Sequence, residues 1–273
     1  MILIAVISLG AIGAIGALLL YAASKKFEVY EDPRIAQVQA VLPGANCGGC
    51  GYPGCAGFAG ACVKADSLDG MLCPVGGGPV MAKVATILGK EAGAAEPMVA
   101  VVRCNGTCKA RPRTNQYDGT KSCAIASTLY GGETNCTFGC LGYGDCVKAC
   151  NFGAIRINPE TGIAEVDEEK CIACGLCVKA CHQEIIRLHE CANTIVVKCS
   201  NKDKGKEAGS VCDYSCIGCG ICEKTCTAEA VQVVENCAVI DEAQCLSCGM
   251  CAVKCPRGVI ADMRGLLRQT RKV

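Results

Sequence analysis

Residues Ile2 to Ala23 carry no charged side chain, and Leu, Ile, Val, Ala and Gly fill the run. Its length matches the roughly 20 apolar residues a helix needs to cross a bilayer, so residues 1–23 are expected to form a transmembrane anchor. A secretory signal peptide would open with basic residues. Here Met1 leads straight into the apolar run, and Lys25 and Lys26 follow it. Positive charge on that flank predicts a single-pass protein of the cell membrane with the rest of the chain in the cytoplasm. Residues 24–43 read as a polar connector holding a short helix that ends at Pro43-Gly44. Helical patterns follow over Ala56–Ala65 and Val80–Leu88, and residues 89–98 read as a linker. Farther along, AIRINPETGIAEVDEEKC and AVQVVENCAVIDEAQC each alternate as two short strands around a turn.

Composition changes this picture. Of 273 residues, 28 are Cys and only two are His. Such density means disulfides in a short secreted chain and metal sites in a cytosolic one, and the tight spacing here decides for metal. With no Trp, 4% aromatic residues and 33 Gly, the chain is poorly equipped for one large apolar core, and bound inorganic groups are expected to do much of the cross-linking. A net charge of +1 argues against nucleic acid as a partner.

Three segments follow C-x2-C-x2-C-x3-C: CIACGLCVKAC at 171–181, CIGCGICEKTC at 216–226 and CLSCGMCAVKC at 245–255. This run holds [4Fe–4S] clusters in pairs, the fourth Cys ligating the neighbouring cluster. A fourth segment, CLGYGDCVKAC at 140–150, aligns without gaps but has Tyr143 where a ligand belongs, and Cys136 is the expected substitute. The cross-over rule then predicts four sets: Cys136, Cys140, Cys146 and Cys181; Cys150, Cys171, Cys174 and Cys177; Cys216, Cys219, Cys222 and Cys255; Cys226, Cys245, Cys248 and Cys251. Near the anchor, NCGGCGYPGC and MLCPVGGGP supply Cys47, Cys50, Cys55 and Cys73 for a fifth cluster. A sixth is expected on Cys104, Cys108 and Cys123 with either Cys199 or Cys212. Cys62, Cys191 and Cys237 are read as small packing residues, and His182 and His189 as surface or packing residues.

The predicted fold is α+β: one N-terminal transmembrane helix, a small iron–sulfur domain, then two ferredoxin-like modules with two [4Fe–4S] clusters each. The expected divisions are the anchor at 1–23, the connector at 24–43, a 4Fe–4S domain at 44–89 and a linker with an additional Cys block at 90–133. The first ferredoxin-like module follows at 134–190, a connector at 191–211, the second module at 212–263 and a basic tail at 264–273. No G-x-G-x-x-G or P-loop marks a nucleotide site, so no self-contained catalytic site is expected. A zinc-binding regulatory protein would show separated C-x2-C knuckles instead of uninterrupted four-Cys runs.

The anchor, CGGCGYPGC, GCLGYGDCVKAC and the two ferredoxin modules together resemble the B subunit of the Rnf complex, in its longer form, over nearly the whole chain. The pattern departs from plain ferredoxin runs in that only Cys255 is followed by Pro, with Asn151, His182 and Thr227 at the other places. The resemblance implies an electron-transfer subunit of an ion-translocating (Na⁺ or H⁺) ferredoxin:NAD oxidoreductase. Reduced ferredoxin would be its electron donor, and membrane and flavin-bearing subunits its partners. A polyferredoxin-type subunit of a formate dehydrogenase or hydrogenase is the alternative.

Overall fold

The computed structural model describes residues 10, 13–22, 25, 32–91, 93, 96–129 and 131–267. Residues 13–22 are helical and expose Ile15, Leu18, Leu19 and Leu20. Among the described residues no helix is long and apolar enough to cross a membrane. Much of the expected anchor at 1–23 lies outside them.

Three helices form the first core: α1 (Pro33–Val41), α2 (Gly54–Lys64) and α3 (Gly77–Leu88). The Asp32 side chain caps α1 by accepting from the Arg34 N–H at 2.9 Å, with Pro33 at the first turn, as helix entry favours. The helices bury Val38, Phe58, Cys62, Met81 and Val84 against one another. The Lys90 ammonium donates to the carbonyls of Cys62, Val63 and Ala65, covering the acceptors left open at the end of α2.

Two similar units follow. The first contains β1 (Met98–Val102), α4 (Cys123–Leu129), α5 (Asp145–Lys148), β2 (Ile155–Ile157), β3 (Ala164–Val166), α6 (Leu176–Ala180) and β4 (Ile186–Glu190). The second contains β5 (Ile195–Val197), α7 (Gly205–Val211), α8 (Ile221–Thr225), β6 (Val231–Val234), β7 (Cys237–Ile240), α9 (Met250–Lys254) and β8 (Ile260–Asp262). The hairpins β2–β3 and β6–β7 pair as the alternation predicts. In addition β1 pairs with β4 and β5 with β8, both antiparallel, so each unit is closed by strands from its two ends. Residues 89–98 read as a linker, yet β1 begins at Met98, because a short apolar run at the edge of a linker gains its partner only from residues 186–190.

A pair of strands alone is marginal in water, and here the small sheets share cores. Val99, Val101 and Val196 pack together with Ala261 and Met263, joining the two units. His189, expected as a surface or packing residue, is buried at this junction. Its Nδ1 lies 2.8 Å from Glu242 Oε1 and its Nε2 lies 2.7 Å from the Asn193 carbonyl.

Candidate iron–sulfur sites

The four ferredoxin-type loops repeat one backbone conformation. The residue before the second ligand position is left-handed in each: Gly142 at φ 77°, Ala173 at 54°, Gly218 at 62° and Ser247 at 50°. A glycine two residues later is left-handed again and starts the following helix: Gly144, Gly175, Gly220 and Gly249. For Ala173 and Ser247 this conformation costs about 1–2 kcal/mol, which a bare loop has little reason to bear. Turned this way, successive N–H groups form a concave nest suited to an anionic sulfur cluster. N–H groups already aim at sulfur: Ala100 donates to Cys171, Ser247 to Cys245 and Val259 to Cys255, each at 3.4 Å. Among the described residues no three Cys, His, Asp or Glu converge as ligands of a single ion. Three groups of four thiols instead line cavities, an arrangement that fits [4Fe–4S] groups.

In several predicted sets the thiols lie near one another. Cys73 lies within electrostatic reach of Cys50 and Cys55. Cys177 has Cys171, Cys174 and Cys150 as neighbours. In the second unit Cys222 neighbours Cys216, Cys255 and Cys219, and Cys251 neighbours Cys245 and Cys248, with Cys226 packed against the same apolar cluster. Burial, followed by the neighbouring thiols, pushes Cys177 up to about 11 and Cys251 up to about 12. Four such thiols resist ionising together until a cation-rich group shares their charge.

The thiols of two other predicted sets group differently around cavities. Cys140, Cys146 and Cys181 share a cavity with Cys123, and Cys136 is absent from it. Cys123 arrives there because Asp145 pins the start of α4, accepting from Ser122 Oγ at 2.8 Å and from the Ala124 N–H at 3.1 Å. Burial alone would raise the Asp145 carboxyl, but these bonds outweigh it and hold the group below the usual range. Tyr143, in the vacant ligand position, stacks with Tyr117 at 5.9 Å under the Lys121 ammonium. Burial and then the Glu133 charge push its phenol up to about 12.

Cys136 lies instead with Cys104, Cys199 and Cys212 around a second cavity. The expected sixth set therefore loses Cys123 to its neighbour and Cys108 to the exposed surface, where the Cys108 thiol donates to the Thr161 carbonyl at 3.3 Å. Both Cys199 and Cys212 line that cavity. A repeat betrays this grouping: VVRC at 101–104 matches VVKC at 196–199, and Cys136 and Cys212 each stand four residues before their loops. Each unit contributes the same two positions, and the cavity lies between them. Nothing in local spacing points to Cys123.

The remaining thiols differ from one another. Cys62 is fully buried in the helical core. Cys191, read as a packing residue at a place matching Cys237, is exposed in the turn after β4, while Cys237 opens β7 in the hairpin and is buried between Cys199 and Cys216.

Three family descriptions match this chain: "Putative Fe-S cluster" over 42–75, "4Fe-4S dicluster domain" over 135–185 and "4Fe-4S binding domain" over 238–261. The B subunit of the Na⁺-translocating ferredoxin:NAD⁺ oxidoreductase complex of Acetobacterium woodii is 48% identical over 260 residues, covering 95% of this chain and 78% of that protein. This chain belongs to the family of Rnf B subunits. The B subunit of the proton-translocating ferredoxin:NAD⁺ oxidoreductase complex of Clostridium ljungdahlii is 40% identical, covering 91% of this chain and 88% of that protein. The B subunit of the ion-translocating oxidoreductase complex of Methanosarcina acetivorans is 38% identical over 90% of this chain and 92% of its own length. As an Rnf B subunit the chain is an electron-transfer protein carrying multiple [4Fe–4S] clusters.

Proposed function

We propose that this Rnf B subunit carries electrons from reduced ferredoxin along six [4Fe–4S] sites in a row toward the membrane subunits of an ion-translocating ferredoxin:NAD oxidoreductase. Such clusters, when bound, take up and release single electrons at potentials spanning about −700 to +450 mV. The proposed ligands, from the carboxyl end, are Cys226, Cys245, Cys248 and Cys251; Cys216, Cys219, Cys222 and Cys255; Cys104, Cys136, Cys199 and Cys212; Cys123, Cys140, Cys146 and Cys181; Cys150, Cys171, Cys174 and Cys177; and Cys47, Cys50, Cys55 and Cys73. The observation that carries this order is the chain of contacts between successive sets. Cys251 neighbours Cys222, the Cys216 N–H donates to the Cys199 sulfur at 3.3 Å, and the Cys140 N–H donates to the Cys104 sulfur at 3.5 Å. Cys146 neighbours Cys177, and Cys174 neighbours Cys47.

Cys248 and the apolar Leu246 and Met250 are exposed at the far end of this row, which favours that end for meeting a soluble donor. The Cys47 set lies nearest in sequence to the uncharged run Ile2–Ala23, proposed as the single-pass anchor that keeps the cluster domains on the cytoplasmic face. The chain's own residues position the sites, supply N–H groups to sulfur and exclude water.

Anaerobically reconstituted full-length chain should hold about 24 irons, against about 20 for five clusters. In Cys248→Ala, reduction by reduced ferredoxin should slow while dithionite still bleaches the other sites. Reduction by ferredoxin at the unaltered rate would sink the proposed direction.

A further inference from the structure

The cavity holding Cys104, Cys136, Cys199 and Cys212 is also lined by Arg103, Arg111 and Lys198. The cavities holding the two other sets of the first unit are lined by no charged side chain at all. Arg111 is buried, and one guanidinium nitrogen donates to the Cys140 carbonyl. Its Nε and Nη1 have no partner. Glycines leave room for it: a Cβ on Gly106 would stand 3.2 Å from Arg111 Nε and 3.4 Å from the Cys212 sulfur, and one on Gly139 would overlap the guanidinium. A buried cation with idle donors is costly unless negative charge faces it.

Arg103 and Lys198 occupy equivalent places in VVRC and VVKC. Burial holds both below their usual ranges; the nearby thiols work against that shift for each, and Glu168 and Glu165 also do so for Lys198. Arg103 has Arg187 as a further like-charged neighbour. The amide of Asn201 adds a donor 3.8 Å from the Cys136 sulfur, and its N–H lies 3.4 Å from Cys199.

We propose that Arg103, Arg111 and Lys198 make the site between the two units an electron-holding relay, with a higher midpoint potential than either cluster of the first unit. The inference rests on the six-site reading above. One-electron reduction adds one negative charge and moves no proton. Cations at close range in a low-dielectric pocket stabilise the reduced form, whereas the uncharged cavities do not. An electron from the second unit therefore rests here before an uphill transfer into the first.

EPR-monitored redox titration of the full-length reconstituted chain tests this, with the relay signal defined as the one lost in Cys136→Ala. In Arg111→Gln that midpoint should fall by at least about 59 mV, a tenfold change for one electron, with iron content retained and the Cys140 site, which Arg111 also reaches, falling by less. If Arg111→Gln does not fold, Lys198→Gln carries the same expectation. A relay midpoint below those of the first unit's clusters overturns the proposal. So do unchanged midpoints in the variants, or four irons lost in Arg111→Gln while Lys198→Gln titrates like the parent. A parent chain with about 20 irons that loses no signal in Cys136→Ala fails the six-site reading itself, which is a separate result.

Discussion

The N–H of Cys216 points at the Cys199 sulfur from 3.3 Å. The same contact recurs one unit earlier, where the Cys140 N–H approaches the Cys104 sulfur at 3.5 Å. In each unit the first strand of the closing pair ends two residues before the first of these cysteines, and the first loop ligand lies beside it. The two halves thus meet around one cavity, each offering the same two thiols. That symmetry explains why a chain with two ferredoxin-like units has cysteines to spare.

Cys123 and Cys136 should prove to serve different sites. Cys123→Ala is expected to remove or convert the cluster shared with Cys140, Cys146 and Cys181, and Cys136→Ala the one between the units. Mössbauer and EPR spectra of the two variants and of the double variant measure this. Additive losses are expected, and identical spectra for the two single variants would return Cys136 to the first unit's site.

Four thiols lie outside the proposed sets, and their burial predicts their reactivity. With clusters bound at pH 8, iodoacetamide should label Cys108 and Cys191, which are exposed, and spare Cys62 and Cys237, which are buried. Peptide mass spectrometry reads the pattern directly.

Cys62 also predicts a pH dependence. Burial pushes its thiol from about 9 up to about 11, with Lys90 opposing and Cys50 adding to the shift. Between those values the folded state keeps a proton that the unfolded state releases, so stability is lost as pH rises through this window. The slope is on the order of 1 kcal/mol per pH unit. Denaturation midpoints measured from pH 8 to 11 should fall less steeply in Cys62→Ala than in the parent chain.

Glu242 holds the two units together. Its carboxylate meets the His189 ring at 2.8 Å and the Glu190 N–H at 3.0 Å, and its carbonyl accepts from Asn193. Both His189 nitrogens face acceptors, so removal of the carboxylate leaves a buried ring unsatisfied. Glu242→Ala should destabilise the junction by about 1–3 kcal/mol, seen as faster hydrogen exchange across β4 and β5 with the helical core unchanged.

Gly49 sets how closely the Cys47 site approaches the next. A Cβ there would lie 2.6 Å from the Cys174 carbonyl and 2.9 Å from the Pro74 ring. Gly49→Ala must therefore push the two loops apart, at a cost of about 1–3 kcal/mol. Transfer out of the first unit should slow while the iron count holds, and stopped-flow reduction kinetics would show it.

What the sequence by itself determined is what short-range chemistry dictates. Four-Cys runs specify cluster loops because three thiolates on one tight turn can cap one cluster, and the alternation after them specifies hairpins β2–β3 and β6–β7. The sets built on Cys171–Cys177 and Cys216–Cys255 follow from that local logic. Cys123, Cys136 and the pair Cys104–Cys199 do not, because their partners are tens of residues away and are chosen by how strands close and units dock. Only the tertiary structure decided that Asp145 draws Cys123 beside Cys140, Cys146 and Cys181, that Cys136 turns toward the second unit, and that three cations gather there. Spacing encodes geometry along the chain, whereas burial and charge at a junction arise only once both sides are folded.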